Sequence, residues 1–148
     1  MAEIDWIIHG VKDVYDRNPL IKGMVNFHTH GLENHGCKNL SVVTMLEVYD
    51  QFEVIKMINT VGRLMVDGDK FEVNRIHNIW DENGNLEFKF WLIKAKCFGE
   101  KTLRMVLPDR NGKFVSKELL KSEEELDPIQ FELQHTPLFE RCEKRFKH

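Results

Sequence analysis

The chain has 148 residues, a formal net charge of −3 at pH 7 and 42% hydrophobic residues, among them ten Phe and three Trp. That length and apolar content suffice for one domain with its own core, and we predict a single domain over residues 1–148. Acidic and basic residues are interleaved, whereas a dedicated nucleic-acid-binding protein normally carries a clustered basic face. No apolar stretch is long enough to span a bilayer. Neither nucleic acid nor a membrane is therefore an expected partner.

The three cysteines, Cys37, Cys97 and Cys142, are odd in number and widely spaced. This pattern is typical of reduced thiols and not of a disulfide framework. The first residues carry acids where a signal peptide would have a basic region followed by an apolar run. We therefore predict a cytoplasmic protein.

The first half of the chain predicts two helices with two strands between them. Apolar residues at helical spacing predict an amphipathic helix from Glu3 to Asp16. A strand over Ile21 to His30 follows, then a loop from Gly31 to Lys38 and a β-branched strand over Leu40 to Met45. In the first strand, alternation directs His28 and His30 to one face and Phe27 and Thr29 to the other. The most regular pattern then predicts a long helix over Glu47 to Val66, ended by Asp67-Gly68 because glycine suits the left-handed C-terminal position.

The second half of the chain predicts mainly strands. Runs over Phe71 to Trp80 and Leu86 to Phe98 flank Asn83-Gly84, a strong hairpin signal. Thr102 to Leu107 is a further strand, and Pro108 to Gly112 has the composition of a turn. Later predicted elements are a brief continuation of the sheet over Lys113 to Val115, one turn of helix over Lys117 to Leu120, an edge strand over Ile129 to Leu133 and a short terminal helix from Pro137. Together these elements predict an α+β fold with a mostly antiparallel sheet, open or barrel-like, packed by an N-terminal helix and one longer central helix.

Two motifs give the chain a family resemblance. They are Phe27-x-Thr29-x-Gly31-Leu32 and Pro108-Asp109-Arg110-x-Gly112-x-Phe114. In this order and spacing the chain resembles an uncharacterised bacterial family, domain-of-unknown-function family 4262, over about Ile7 to Gln130. One departure is Cys37, which stands where the family usually has histidine. The resemblance implies a bacterial α+β domain and supplies no known reaction.

The segment from His28 to Cys37 is the principal candidate site. Two histidines two positions apart on a strand project from the same face, and a second pair with this spacing follows the turn. Imidazoles with one thiolate suit zinc or another borderline metal, so the predicted metal ligands are His28, His30, His35 and Cys37. The alternative is that these are polar residues at a strand end, hydrogen-bonded to loop backbone.

The same segment also suggests two other kinds of site. Cys37 lies between Gly36 and Lys38 and two residues from His35, so it is a candidate thiol nucleophile, although no third orienting group is identifiable. A small-ligand pocket is the other alternative, because glycines allow close approach to the backbone. Its polar contacts would come from His28, Thr29, His30 and Gly31, and its walls from Phe27, Trp80 and Trp91. A flavin would suit such a pocket.

Three functions therefore follow from the sequence in order of preference. The first is a binding or interaction module, with a homodimer through exposed sheet edges. The second is a domain that binds a small ligand or a flavin-type cofactor near His28 and His30. The third is a metal-dependent or thiol enzyme that uses the His28 to Cys37 segment. As cofactors, the sequence favours neither a zinc-like metal nor a flavin.

Overall fold

The computed structural model describes residues 3–12, 24–97 and 99–114. Its elements in chain order are six strands, one short 3-10 helix and one α-helix: β1 (Ile7–Val11), β2 (Met24–His30), the 3-10 helix (Leu32–His35), β3 (Leu40–Met45), α1 (Gln51–Val66), β4 (Arg75–Trp80), β5 (Leu86–Cys97) and β6 (Glu100–Val106). No helix in these ranges is both long and apolar enough to cross a membrane.

The six strands form one sheet in the order β1-β2-β3-β6-β5-β4. Every neighbouring pair is antiparallel except β3 and β6, which run parallel. The predicted α+β class with a mostly antiparallel sheet is confirmed. The barrel-like alternative is wrong for the described residues, because β1 and β4 end the sheet and do not pair with each other.

The predicted N-terminal helix is wrong, because residues 7–11 form the edge strand β1. β1 pairs with β2 in a register that sets His9 opposite His28 and Gly10 opposite Phe27. A side chain at position 10 would press on the Phe27 ring, since an added Cβ would lie 3.3 Å from its Cε1 atom. Spacing that looks helical over so short a segment is overridden by pairing with the next strand in the chain.

The central helix is confirmed, although it begins at Gln51 and not at Glu47. Asp50 caps it, because its Oδ1 atom accepts a hydrogen bond of 3.0 Å from the Glu53 amide, and this hydrogen bond lowers the pKa of the Asp50 carboxyl. Gly68 follows the helix with a φ of 109°, as the sequence predicts. Val54, Ile58 and Val61 are fully buried and direct the helix onto the sheet.

The other predicted elements agree with the structure except at their ends. Leu40–Met45 is a strand with the predicted bounds, β4 begins at Arg75, and β6 begins at Glu100. The hairpin turn is held by Asp81, whose Oδ1 atom accepts hydrogen bonds of 2.9 Å from the amides of Asn83 and Asn85. Residues 113 and 114 do not extend the sheet. The predictions for residues 13–16, 21–23 and beyond residue 114 lie outside the described residues.

The two faces of the sheet differ in chemistry. One face packs against α1 and carries the apolar core, which includes Phe27, Leu40, Phe90 and Met105. The opposite face is mixed, because strand alternation places there buried apolar residues such as Val43, Trp91 and Val106 together with a polar set. We call it the polar face after that set: His9, Asn26, His28, His30, Ser41, Cys97, Thr102 and Arg104. The sheet curves toward this face, since the Cys97 thiol on β5 donates a hydrogen bond to Asn26 Oδ1 on β2 at 3.2 Å, although β3 and β6 lie between these strands.

Candidate metal centre

Three histidines meet on the polar face of the sheet. His28 and His30 lie two apart on β2, and His9 lies opposite His28 on β1. Their ring centroids are 5.5 Å apart for His9 and His28, 4.6 Å for His9 and His30, and 4.9 Å for His28 and His30. Each residue offers one ring nitrogen, and these three nitrogens all lie within 4.8 Å of one another. We call His9, His28 and His30 the histidine cluster.

Asn26 orients the most buried member of the cluster. Its Oδ1 atom lies 3.0 Å from His28 Nδ1 and also accepts the hydrogen bond from the Cys97 thiol. A carbonyl oxygen only accepts hydrogen bonds, so His28 Nδ1 must carry the proton and donate it. In the neutral ring, Nε2 then carries the lone pair. A hydrogen bond of this kind behind a ligand is the usual support for a metal-binding histidine.

Burial and neighbouring charge both favour the neutral form of His28. Burial lowers its pKa from the ordinary value of 6.5, and the nearby His30 and His9 lower it further. The Glu100 carboxylate acts in the opposite direction. A metal binds the neutral imidazole, so the environment of His28 favours the state that a metal requires.

The cluster borders a pocket of about 280 Å³ that is open on one side. Glu100 contributes a carboxylate to the lining, and Cys97 contributes a thiol. The full lining is His9, Val11, His28, Thr29, His30, Cys97, Glu100 and Thr102. The cluster therefore has space beside it for water or a small molecule.

The structure separates the four ligands predicted from the sequence into two pairs. His28 and His30 join the histidine cluster, whereas His35 and Cys37 do not. His35 lies in the 3-10 helix, with its Nε2 atom 2.7 Å from Asp5 Oδ1. Cys37 is half-buried against the apolar core, and its thiol lies 3.8 Å from the His35 carbonyl oxygen. The chain turns away at Gly31, which has a φ of 118°.

Thr29 and Gly31 have structural partners that explain their presence. Thr29 Oγ1 donates to Asn39 Oδ1 and accepts from the Leu40 amide, both at 2.9 Å. Gly31 packs on the backbone of Trp6, where an added Cβ would lie 3.0 Å from the Trp6 Cα atom. Thr29 also lines the pocket, whereas Gly31 does not. Of the predicted ligand contacts, His28, His30 and Thr29 are thus at the pocket.

The predicted aromatic walls of a flavin site are not at the pocket. Phe27 points into the core on the other face of the sheet, because it alternates with His28. Trp80 lies on β4, at the far edge of the sheet from β1 and β2. Trp91 is buried on β5 and does not line the pocket.

The sequence did not identify His9, because its segment was predicted to be a helix and not a strand beside His28. The run Ile7-Ile8-His9-Gly10-Val11 has no alternation of polar and apolar residues, so it gives no strand signal of its own. It becomes informative only once residues 7–11 are paired with β2. The site is thus built from β1 and β2, and the sequence predicted a helix where β1 lies.

The lowered pKa of His28 predicts a pH-dependent stability. Below pH 6.5 the unfolded chain takes up a proton at this position before the folded protein does. The contribution of His28 is therefore complete above pH 6.5 and is lost as the pH falls through 6.5 toward the lower folded value. The free energy of unfolding, measured by urea denaturation of metal-free protein, should therefore fall more on acidification for wild type than for His28→Gln. A larger fall for His28→Gln than for wild type would contradict the lowered pKa of His28.

Comparison with family models, with curated proteins and with solved structures found no match for this chain. The resemblance to family 4262 therefore stays a prediction, and the function of the site has to be argued from its geometry.

Proposed function

We propose that this protein binds a divalent transition metal, in the first place zinc, through His9, His28 and His30. The observation that carries the proposal is the convergence of three imidazole nitrogens, all within 4.8 Å of one another, beside an open pocket. His9 supplies the third imidazole, so the metal hypothesis now ranks above the interaction module and the flavin site.

The donor set suits the metal. Imidazole is a preferred ligand of zinc, copper and nickel. In a tetrahedral site with Zn–N distances of about 2.0–2.1 Å, neighbouring nitrogens lie about 3.3–3.4 Å apart. The cluster thus needs a contraction of up to about 1.5 Å at its widest separation, which would have to come from rotation of the histidine side chains. His28 Nδ1 is hydrogen-bonded to Asn26 Oδ1 at 3.0 Å, and this contact would hold the ring in place behind the metal.

The number of ligands indicates the kind of site. Structural zinc sites normally have four protein ligands, whereas catalytic sites have three and leave a position open. Here the cluster provides three imidazoles, and the open side faces a pocket that also contains the Glu100 carboxylate. A bound zinc ion would act there as a Lewis acid and lower the pKa of a coordinated water. The volume of about 280 Å³ limits the substrate to a small molecule.

Metal titration of single-residue variants tests this proposal. Calorimetric titration of metal-free protein with Zn²⁺ should give one site per chain, and replacement of His9, His28 or His30 by alanine should weaken binding by at least about 100-fold. Asn26→Ala should weaken it by about 10–100-fold through loss of the hydrogen bond that orients the His28 ring.

His35→Ala and His77→Ala are the matched controls, because both remove a histidine outside the cluster and should leave affinity unchanged. An effect of His35→Ala equal to that of His28→Ala would overturn the proposed ligand set. So would a wild-type protein that binds no zinc at about 100 µM, a concentration at which even weak sites of about −5.5 kcal/mol are half-filled.

A further inference from the structure

Strand β4 has an unused hydrogen-bonding edge. Among the described residues, its only sheet partner is β5, and Arg75–Trp80 make no other backbone hydrogen bond. Proteins commonly protect such an edge with charges, prolines or bulges, because it otherwise pairs with another chain. The stretch Arg75–Trp80 contains no proline and only one formal charge. Its pairing with β5 is irregular at one point, a register shift between Ile79 and Trp80.

The same strand exposes two large apolar side chains. Ile76 is 53% exposed and Trp80 is 59% exposed. Alternation along β4 places Ile76 and Asn78 on one face, and Trp80 is the next residue in this alternation, just after the register shift between Ile79 and Trp80. Ile79, on the other face, is buried in the core. An open edge and an apolar surface thus coincide on one strand.

We propose that β4 pairs antiparallel with β4 of a second copy of this chain, with the two-fold axis at Asn78. A two-fold axis perpendicular to the sheet leaves each side chain on its own face. Two residues that oppose each other across the paired strands lie on the same face, so their positions in the chain differ by an even number. The axis therefore passes through the residue midway between them. Centring on Asn78 sets Ile76 of each copy opposite Trp80 of the other.

Charge supports the same register. Centring on Asn78 also sets Arg75 opposite Asp81, the first residue after β4, so that a cation faces an anion at both ends of the paired strands. Within one chain, Arg75 Nε lies 2.8 Å from Glu72 Oε2 and Asp81 caps the hairpin turn. An axis at His77 would set Ile76 opposite Asn78 and Arg75 opposite Ile79. An axis at Ile79 would set Trp80 opposite Asn78. Only the Asn78 register among these pairs the two exposed apolar residues with each other, and such cross-strand pairs stabilise a sheet.

The expected dimer is weak. Pairing of one six-residue edge buries less than the roughly 800 Å² per partner of a standard interface. We therefore expect a reversible dimer with a dissociation constant of about 10–100 µM. This inference is independent of the proposed metal site.

Disulfide trapping tests the register directly. In the proposed dimer residue 78 faces itself, with opposing Cα atoms about 4.5–5.5 Å apart, which is within the range that a disulfide spans. Under mild oxidation at about 100 µM, where the dimer is populated, Asn78→Cys should become a covalent dimer at least about tenfold faster than Arg75→Cys. The two copies of residue 75 would lie about 20 Å apart along the strands, so Arg75→Cys is the matched control for an exposed cysteine on β4. Wild type reports the background from the native thiols.

Sedimentation of two lysine variants tests the apolar contact. Trp80→Lys should be monomeric, whereas Phe52→Lys, which alters the 74% exposed Phe52 on α1, should dimerise like wild type. The proposal is overturned if Arg75→Cys crosslinks as fast as Asn78→Cys, if wild type sediments as a monomer at several hundred micromolar, or if Phe52→Lys dissociates the dimer as fully as Trp80→Lys. Circular dichroism of each variant confirms that it is folded.

Discussion

Replacing Trp6 with alanine is expected to lower the free energy of unfolding by about 3–5 kcal/mol. Trp6 is 4% exposed and packs its ring on Gly62 of α1, where an added Cβ would lie 3.0 Å from the ring. Its indole nitrogen donates a hydrogen bond of 2.9 Å to Asn59 Oδ1. The substitution therefore opens a cavity between the N-terminal segment and the helix, and it removes the partner of a partly buried amide.

Urea denaturation of three variants measures this effect and its components. Trp6→Phe keeps most of the apolar volume but lacks the N–H donor, so it should cost less than Trp6→Ala. Ile4→Ala is the control, because Ile4 is 40% exposed and surface substitutions usually change stability by no more than about 0.5 kcal/mol. A Trp6→Ala protein within 1 kcal/mol of wild type, by the same scale of effects, would contradict the docking of this segment on α1.

Zinc is expected to raise the melting temperature of the metal-free protein by about 5–10 °C. A ligand that binds only the folded state at 100 times its dissociation constant adds about 2.7 kcal/mol to stability. For a chain of 148 residues, each kcal/mol raises the melting temperature by about 2–4 °C. The shift should be reversed by a chelator, because the metal is held by exchangeable ligands.

Histidine variants test whether the thermal shift arises from zinc bound at the histidine cluster. His28→Ala should lose the shift, whereas His35→Ala should retain it, because His35 pairs with Asp5 outside the cluster. An equal shift in wild type and His28→Ala would mean that zinc stabilises the protein from another site. No shift in wild type would mean that the folded protein does not bind the metal.

The parts of the fold that the sequence predicts well are those with local signals. The Leu40–Met45 strand, the Asn83-Gly84 hairpin and the helix that ends before Gly68 each carry their own turn or capping residues. The parallel pairing of β3 with β6 has no local signal, because these strands are far apart in the chain. The N-terminal segment shows the same limit, since Ile7, Ile8 and Val11 fit a helix locally and a strand only when β2 is beside them.

The candidate site was likewise predicted only in part, where the signal is local. Alternation on β2 correctly placed His28 and His30 on one face. The third imidazole depends on the register that sets His9 opposite His28, which no motif in the sequence encodes. His35 and Cys37 were predicted from spacing alone, but the left-handed backbone at Gly31 and the 3-10 helix direct them to Asp5 and the core.

X-ray absorption spectroscopy at the zinc edge tests the metal proposal most directly. Protein loaded with one equivalent of zinc should hold the metal with imidazole nitrogens in the first shell at about 2.0–2.1 Å. The spectrum should be the same for His35→Ala and should be lost for His28→Ala. A sulfur ligand at about 2.3 Å, or a zinc ion without imidazole ligands in wild type, would contradict a site built from His9, His28 and His30.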